Sequence, residues 1–278
     1  MKPGLAALLA PESPWRFFEE AWPDEPFLVR GPISRLKGLA DVKELASAEA
    51  LSRVECRAVL AQSQKLVEGF GNVAVAPQLA PTMVEAGFTL YFNEPRFPSR
   101  TLWRWVHALE DDLSLPRGAI RPSAFFSSRG RGARMHFDNT ESLVVQVRGK
   151  KEWRIARNDA VPYAPINYLE GEPLPTELRA LAKRPMKAPK KSRRVVLEPG
   201  SVLFLPRGWW HATQTLEDSL HVDLLTAVPT WADTLREEVE AVFARAVHWR
   251  TPATAPQFRE VMEAQLLDDL RAAFARTR

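Results

Sequence analysis

Cysteine is almost absent from this sequence, since Cys56 is the only one among 278 residues. One thiol permits no internal disulfide, which excludes a disulfide-stapled miniprotein and makes a reducing cytoplasm the expected location. Long apolar runs are lacking as well. The apolar stretch near the N-terminus ends at Pro11, and it is too short for the core of a signal peptide or for a membrane span. We therefore expect a cytoplasmic protein with no membrane partner.

Neither sign of charge dominates the chain. Lys and Arg number 38 against 34 Asp and Glu, and this net charge of +4 does not by itself indicate nucleic-acid binding. Hydrophobic residues make up 45% of the sequence and include 9 Trp and 14 Phe, which excludes a disordered chain or a coiled coil. The length predicts one large domain with an appendage.

Charge is nevertheless concentrated in one place. Residues 183–194 contain seven cations and no anion. A block of like charges repels itself, so one interpretation is a solvated loop without a ligand. The other is a docking surface for an acidic or RNA-associated partner.

The N-terminal part, residues 1–87, is predicted to hold helices and a strand that pack on a barrel. Ser13 is a suitable N-cap with Pro14 at the first helical position, and Trp15, Phe18 and Trp22 fall on one helical stripe. The apolar run that begins at Phe27 fits a strand. Residues 38–70 have a helix-forming composition and predict one or two short helices.

From residue 88 to 228 the apolar runs are short, rich in β-branched and aromatic residues, and separated by Gly and Pro, which is typical of an antiparallel barrel or sandwich. Residues 148–150 predict a tight hairpin turn between two of these runs. After Pro229 the period becomes helical and predicts two amphipathic helices over 229–278. The predicted strands cover residues 143–147, 151–155, 195–197, 201–205 and 219–226.

His136 and Asp138 are the first candidate metal ligands, because residues two apart on a strand point to the same face. His211 is the third. It follows a turn, a buried strand, a second turn and two Trp, which predicts an imidazole at the start of a strand inside an apolar enclosure. Two His and one carboxylate suit octahedral Fe(II), whereas a structural zinc site favours four ligands that include cysteine. A histidine bonded to a backbone carbonyl in the core is the alternative for His211.

Lys151 lies on the same strand face as Trp153 and Ile155. A lysine on an apolar face is unfavourable unless it meets an anion, so it is a candidate cation for the distal carboxylate of a metal-chelating dicarboxylate. The alternative is a side chain at a strand end that reaches out to water.

His221 and Asp223 share one face of the strand after His211. If that face is interior, they could hydrogen-bond a co-substrate or orient a metal ligand, or they form a purely structural pair. His107 and His248 lie in helical, Trp-containing surroundings and are predicted to be packing or surface residues.

With these motifs the sequence resembles the Jumonji-C hydroxylases of the cupin superfamily, in the bacterial branch related to the ribosomal oxygenases. The resemblance is carried by His136-x-Asp138, by Lys151 fifteen residues after the first His, and by the Glu-Pro-Gly to Trp-Trp-His element that ends at His211. It covers residues 15–235. It implies a double-stranded β-helix (jelly roll, cupin-like), Fe(II), and 2-oxoglutarate and O₂ as co-substrates.

The resemblance also implies that His136, Asp138 and His211 hold the metal and that Lys151 binds the distal carboxylate of 2-oxoglutarate. The activity it favours is hydroxylation of a side chain of a protein or peptide, acidic or ribosome-associated. The alternatives are the same chemistry on a free amino acid or small metabolite, and a non-catalytic cupin-like binding module. About fifty residues follow the barrel. They suffice for the two helices, which are predicted to form a homodimer, but not obviously for the winged-helix-like domain of the ribosomal oxygenases.

Overall fold

The computed structural model describes residues 2–55, 58–62, 72–245, 247–250 and 265–272. The strands are β1 (Phe27–Val29), β2 (Ala58–Gln62), β3 (Asn72–Val75), β4 (Thr89–Asn93), β5 (Ile120–Ser127), β6 (His136–Phe137), β7 (Glu141–Arg148), β8 (Lys151–Ala156), β9 (Tyr168–Leu169), β10 (Arg193–Leu197), β11 (Val202–Leu205), β12 (Trp210–Thr215) and β13 (Ser219–Thr226). The α-helices are α1 (Leu5–Leu9), α2 (Pro14–Glu20), α3 (Ala48–Ser52), α4 (Ala80–Glu85), α5 (Arg100–Asp112), α6 (Thr176–Leu181) and α7 (Trp231–Arg245). Residues 265–272 are also helical.

The strands form two antiparallel sheets. The larger sheet has the spatial order β1-β11-β7-β13-β5-β4-β2-β3, and the smaller has the order β10-β8-β12-β6-β9. Successive strands from β5 onward cross repeatedly between the two sheets, which is the winding of a jelly roll. The predicted fold class, mainly β with flanking helices around a double-stranded β-helix, is confirmed.

Apolar side chains hold three layers together. One cluster lies between the sheets and includes Val144 of β7, Trp153 of β8 and Leu203 of β11. A larger cluster joins the outer face of the larger sheet to α1, α2 and α5. A third covers the outer face of the smaller sheet, where Phe137 and Trp210 pack against the segment between β8 and β10. Strands β7 and β11 are therefore buried on both faces, whereas β8 and β12 expose Arg154 and Gln214 on their outer face.

The N-terminal predictions are partly correct. Helix α2 begins after Ser13, whose Oγ accepts a hydrogen bond from the Arg16 backbone N–H at 3.1 Å. Of the predicted aromatic stripe only Trp22 packs against the core, since Phe18 is 40% exposed. Phe17 is fully buried against Phe204, with ring centroids 5.1 Å apart, while Trp15 is 68% exposed. This short helix packs against the larger sheet with the side that carries Phe17.

Residues 38–70 contain the short helical elements that the composition predicts, and also a strand that it does not. Helix α3 and a 3-10 turn at Lys43–Ala46 lie there, but so does β2, which pairs with β4 in the larger sheet. The sequence of β2 has no clear alternation, so its conformation depends on its neighbours. Cys56 and residues 63–71 lie outside the described residues.

The predicted hairpin at residues 148–150 is wrong. The turn is tight, but β7 pairs with β11 and β13 whereas β8 pairs with β10 and β12, so the turn joins the two sheets instead of two paired strands. Gly149 has a φ of 62°, in the left-handed region. Sequence adjacency alone does not distinguish a hairpin from a corner between sheets.

The chain divides into two compact units, residues 1–227 and 228–278. In the second unit, Thr230 caps α7, and Trp249 Nε1 donates a hydrogen bond to Asp269 Oδ2 at 2.7 Å. The second predicted C-terminal helix begins among residues outside the described part of the chain. The domain boundaries 1–87, 88–228 and 229–278 stay predictions. No helix in the part that the structure describes is long and apolar enough to cross a membrane.

Replacing Gly149 by Ala should lower the free energy of unfolding by about 3 kcal/mol, because φ is positive and the added Cβ would lie 1.9 Å from the Asp218 carbonyl oxygen. Gly130→Ala is the control. Its φ of 79° is also positive, but no other atom lies within 4 Å of the added Cβ, so about 1 kcal/mol is expected. Urea unfolding measures both, and equal losses would show that the close approach to Asp218 is unimportant.

Candidate metal centre and the adjoining buried lysine

Two histidines and an aspartate converge on the inward side of the smaller sheet. β6 pairs with β12 in a register that sets His136 directly opposite His211, and Asp138 follows β6 immediately. One possible ligand atom of each residue lies within 4.8 Å of the other two. Asp138 Oδ2 is 3.8 Å from His136 Nε2 and 3.4 Å from His211 Nε2. The three predicted metal-ligating residues thus lie together.

The other nitrogen of each imidazole is already occupied. His136 Nδ1 lies 2.7 Å from the Arg134 carbonyl oxygen, and His211 Nδ1 lies 3.0 Å from that of Trp209. A carbonyl only accepts hydrogen bonds, so each Nδ1 carries a proton, and each Nε2 is the ring atom that faces Asp138 and is left for a metal. This arrangement of ring nitrogens is the one that metal-binding histidines adopt.

The charge states suit a divalent cation. Burial and, to a smaller extent, the neighbouring His211 lower the pKa of His136 to about 4, so this imidazole is neutral at pH 7. Burial alone would raise the pKa of Asp138, but His136 and His211 lower it to about 2. Burial alone would lower the pKa of His211, but the hydrogen bond and charge of Asp138 raise it, so a metal ion bound here takes the place of a proton on His211 Nε2. Two imidazole nitrogens and one carboxylate are a donor set that fits Fe(II) with positions left open. The side chain of Asp138 is 34% exposed and that of His211 only 6%, so the site opens to solvent on the side of Asp138.

Lys151 lies on β8, beside β12, and its side chain is buried, with 1% of the residue exposed. Its Nζ donates a hydrogen bond to Ser127 Oγ at 3.0 Å and lies 3.3 Å from His221 Nδ1. None of the carboxylates in the described residues forms an ion pair with it. Burial lowers the pKa of Lys151 to about 7. The alternative of a lysine that reaches out to water is thereby wrong.

Further hydrogen-bond donors around Lys151 lack acceptors. Thr215 lies opposite Lys151 in the β12–β8 register, so its side chain is on the same inward face. Neither Thr215 Oγ1 nor Trp153 Nε1 has a hydrogen-bond partner among the described residues, and both atoms are buried. An excess of buried donors around an unpaired cation fits a carboxylate ligand, such as the distal end of 2-oxoglutarate.

His221 and Asp223 also point inward, as the strand pattern predicted. The His221 ring stacks on Phe125 with centroids 4.8 Å apart, and it contacts Lys151 but none of the three candidate metal ligands. Asp223 accepts a hydrogen bond from Ser142 Oγ, and burial raises its pKa to about 6. His107 is exposed, while the side chain of His248 lies outside the described residues.

Sequence reasoning missed the contribution of β5. Ser123, Phe125 and Ser127 alternate on its inward face, where Ser127 contacts Lys151 and Phe125 stacks on His221. The period of two was visible in the sequence, but small hydroxyl residues on a strand are too common to be recognised as a site.

The segment between β8 and β10 lies against the metal-centre strands. Its short strand β9 pairs with β6, so Leu169 is opposite His136. Met186 and Ala188 pack on the apolar cluster that includes Phe137 and Trp210, and the Ala188 backbone N–H donates to Glu170 Oε1 at 2.9 Å. The seven cations of residues 183–194 are exposed, and none forms an ion pair with a carboxylate of the described chain.

A jelly roll with a His-Asp-His cluster and a buried lysine on its inward face defines the class of metal- and 2-oxoglutarate-dependent oxygenases. Comparison with known families agrees, because residues 96–234, half of the chain, match the JmjC domain family. The chain belongs to the JmjC domain family. It is therefore an enzyme of the 2-oxoglutarate-dependent oxygenase class, as the resemblance in the sequence implied.

Its relatives include ribosomal oxygenases. The chain is 28% identical to human ribosomal oxygenase 1 over 255 residues, which cover 86% of this chain but 36% of the human protein. It is 27% identical to the uncharacterized protein YxbC of Bacillus subtilis over 238 residues, 82% of this chain and 72% of that one.

Solved structures show the same fold. The Escherichia coli ribosomal oxygenase YcfD superimposes with a TM-score of 0.58 at 17% identity, over 96% of this chain and 66% of that chain. A structure of YcfD in complex with cobalt and 2-oxoglutarate gives a TM-score of 0.55 at 19% identity, over 95% of this chain and 66% of that chain. At these identities the likeness shows the fold alone.

Replacing Lys151 by Met should stabilise the ligand-free protein at pH 7 by about 1 to 3 kcal/mol, because a buried cation that has no anionic partner in the described parts of the chain is removed. In the wild type the pKa of Lys151 is about 7, against about 10.4 for an unfolded lysine, so the unfolded state binds more protons between these pH values. Wild-type stability should then rise from pH 7 to pH 10, and the variant should lack this rise.

Lys150→Met is the matched control for this prediction. Lys150 lies in the turn before β8 with its side chain 41% exposed, where it pairs with Glu198 and Glu217 at 3.3 and 3.4 Å, and its loss should change stability by less than about 0.5 kcal/mol. Urea unfolding at several pH values measures both variants. Equal stabilities of the two would contradict the buried, unpaired state of Lys151.

Proposed function

We propose that this oxygenase hydroxylates a side chain of a protein or peptide substrate. In this proposal His136, Asp138 and His211 hold Fe(II), and Lys151 binds the distal carboxylate of 2-oxoglutarate. The observation that carries it is the pairing of two features on one inward face: the His-Asp-His cluster, and a fully buried lysine with no carboxylate partner among the described residues. The His-Asp-His cluster is suited to bind a cation, and the buried lysine is suited to bind an anion. A metal ion with 2-oxoglutarate bound to it supplies both.

When bound, the iron and 2-oxoglutarate supply an oxidant: one oxygen atom of O₂ enters a substrate C–H bond, and the other enters succinate as CO₂ is released. The protein orients and encloses these reactants. The backbone carbonyls of Arg134 and Trp209 hold the two imidazoles in the tautomer that presents Nε2. Trp153, which lies 5.7 Å from His211 and 5.7 Å from His221 between ring centroids, lines the space between the metal end and the lysine end and keeps water out.

Two observations support a protein or peptide substrate. Several relatives carry the name ribosomal oxygenase, and the segment between β8 and β10, which pairs with β6 next to the partly exposed Asp138, is placed to line a docking rim. The exposed cations of this segment would attract an acidic or ribosome-associated partner.

The test is turnover by anaerobically purified, Fe(II)-loaded protein with a bacterial ribosomal-protein mixture. Succinate release and a mass increase of about 16 Da on one protein are expected, since one oxygen atom is added. His136→Ala is the control, and it should lose stoichiometric Fe(II) binding and turnover together. Stimulation by free amino acids alone would favour a small-molecule substrate. Absence of succinate from the iron-loaded wild type with every candidate would favour a binding module.

The cations of the docking segment should act on substrate affinity. Changing Lys183, Arg184, Lys187, Lys190 and Lys191 together to Gln should raise the KM for an acidic protein substrate about tenfold at low salt, because electrostatic attraction is lost. Decay of 2-oxoglutarate without substrate should not change. Met186 and Ala188 are retained because they anchor the segment.

Arg53 and Arg96 provide the control for this charge removal. Both are exposed cations that already pair with a glutamate, and the double change to Gln should leave the KM unchanged. A KM of the five-residue variant that equals the wild-type value at low salt would contradict the docking role.

We also infer that the C-terminal helices form a homodimer. None of the residues of α7 is buried, and Trp231 is 84% exposed. Light scattering should give twice the chain mass of 31.4 kDa, and Trp231→Glu should give the monomer mass because a charge would be buried in the interface. Thr234→Glu adds the same charge at a neighbouring polar position and should remain dimeric. A monomeric wild type at micromolar concentration would refute the dimer.

A further inference from the structure

The imidazole of His221 is held in one orientation by aromatic rings. One face stacks on Phe125 at 4.8 Å and an interplanar angle of 5°, and Tyr91 stacks on Phe125 in turn at 4.5 Å and 18°. Trp153 meets His221 edge-on at 5.7 Å and 73°. Because these rings come from β4, β5 and β8, the plane of His221 and the direction of its Nδ1 are determined by the sheets.

That Nδ1 lies 3.3 Å from Lys151 Nζ. An ammonium group has three hydrogens to donate and no lone pair, so contact with a charged Lys151 requires that Nδ1 is unprotonated and that the proton is on Nε2. Burial holds the pKa of His221 well below its ordinary value, and Lys151 lowers it further. His221 is therefore a neutral acceptor, not a second cation.

Few other charges face this pair. Asp223 lies two residues along β13, Tyr91 lies beyond Phe125, and His211 lies beyond Trp153. Gln146 and Thr215 are the uncharged polar neighbours on β7 and β12. Among the described residues, Lys151 is the only one of these within hydrogen-bond distance of His221.

We propose that His221 is a positioning residue for Lys151. Of the three hydrogens on Nζ, one is donated to His221 Nδ1 and one to Ser127 Oγ at 3.0 Å, and the third remains for a carboxylate oxygen. The two acceptors favour the charged form of Lys151 and aim its free hydrogen, without adding a positive charge that would need a second anion. This inference rests on the proposed role of Lys151 in binding 2-oxoglutarate.

Two variants separate the acceptor from the ring. His221→Phe keeps an aromatic ring for the stack and loses the acceptor, whereas His221→Asn loses the ring and places an amide oxygen close to the position of Nδ1. Calorimetry with 2-oxoglutarate on Zn(II)-loaded protein measures the affinity across pH 6 to 9. His107→Phe, at an exposed histidine, is the matched control and should bind as the wild type does.

The Phe variant should bind 2-oxoglutarate about tenfold more weakly at pH 7.5, since a charged group has lost a hydrogen bond. Wild-type affinity should fall as pH rises, because a neutral Lys151 attracts a carboxylate less. In the Phe variant this fall should begin at a lower pH, since the charged form has lost an acceptor. The Asn variant should recover most of the affinity and the wild-type pH profile.

Weaker binding by the Phe variant with an unchanged pH profile would overturn the proposal in favour of direct contact between His221 and the co-substrate. Equal losses in both variants would show that only ring packing matters, and wild-type affinity in the Phe variant would overturn the proposal outright. Nitrogen-15 NMR of the wild-type histidines reports the tautomer of His221, and this test does not depend on whether either variant folds. The wild-type His221 signal should be that of the Nε2-H tautomer, and an Nδ1-H tautomer would overturn the contact. If the wild type does not bind 2-oxoglutarate but shows the Nε2-H tautomer, the proposed function fails while the contact stands.

Discussion

The pairing of β6 with β12 is short, and the candidate metal centre depends on it. One register pair sets His136 opposite His211, and β6 has little length of its own with which to hold that position. Backbone hydrogen bonds on either side of β6 fix the strand in this position. The Thr213 N–H donates to the Ala133 carbonyl at 3.1 Å, and the Gly208 N–H donates to the Asp138 carbonyl at 2.8 Å. Gly132 passes so near the Thr213 carbonyl that a Cβ would lie 1.9 Å from it, so the approach requires glycine.

Charge is distributed unequally along the inward face of the jelly roll. Asp138 and Asp223 lie toward one end, while Lys151 lies toward the other, on the neighbouring strand β8. Trp153 separates the two ends and contacts a histidine at each. A ligand that chelates a cation with one end and presents a carboxylate at the other therefore has one favoured direction in this space. Among the described residues no carboxylate pairs with Lys151, so the ligand-free protein loses stability but has a cation already in place for a ligand.

Outside the jelly roll, the segment between β8 and β10 links the metal centre to the surface. Its strand β9 extends the smaller sheet next to β6, and its apolar residues pack behind Phe137 and Trp210. Each of these two aromatics is adjacent in sequence to a candidate metal ligand. The exposed cations of the segment are thus attached to the site by packing, although they are separate from it in sequence.

The sequence by itself determined which side chains lie on the inward face, because alternation along a strand is a local property. Lys151 with Trp153, and His221 with Asp223, could be assigned to that face before any strand was paired, and the joint spacing of His136, Asp138 and His211 indicated the class of enzyme. Only the tertiary structure decided which strands are neighbours. It placed the strands on either side of Gly149 in different sheets and brought Ser127 and His221 to Lys151. These contacts join residues 24 and 70 positions apart, and they result from the packing of whole sheets, for which no local pattern exists.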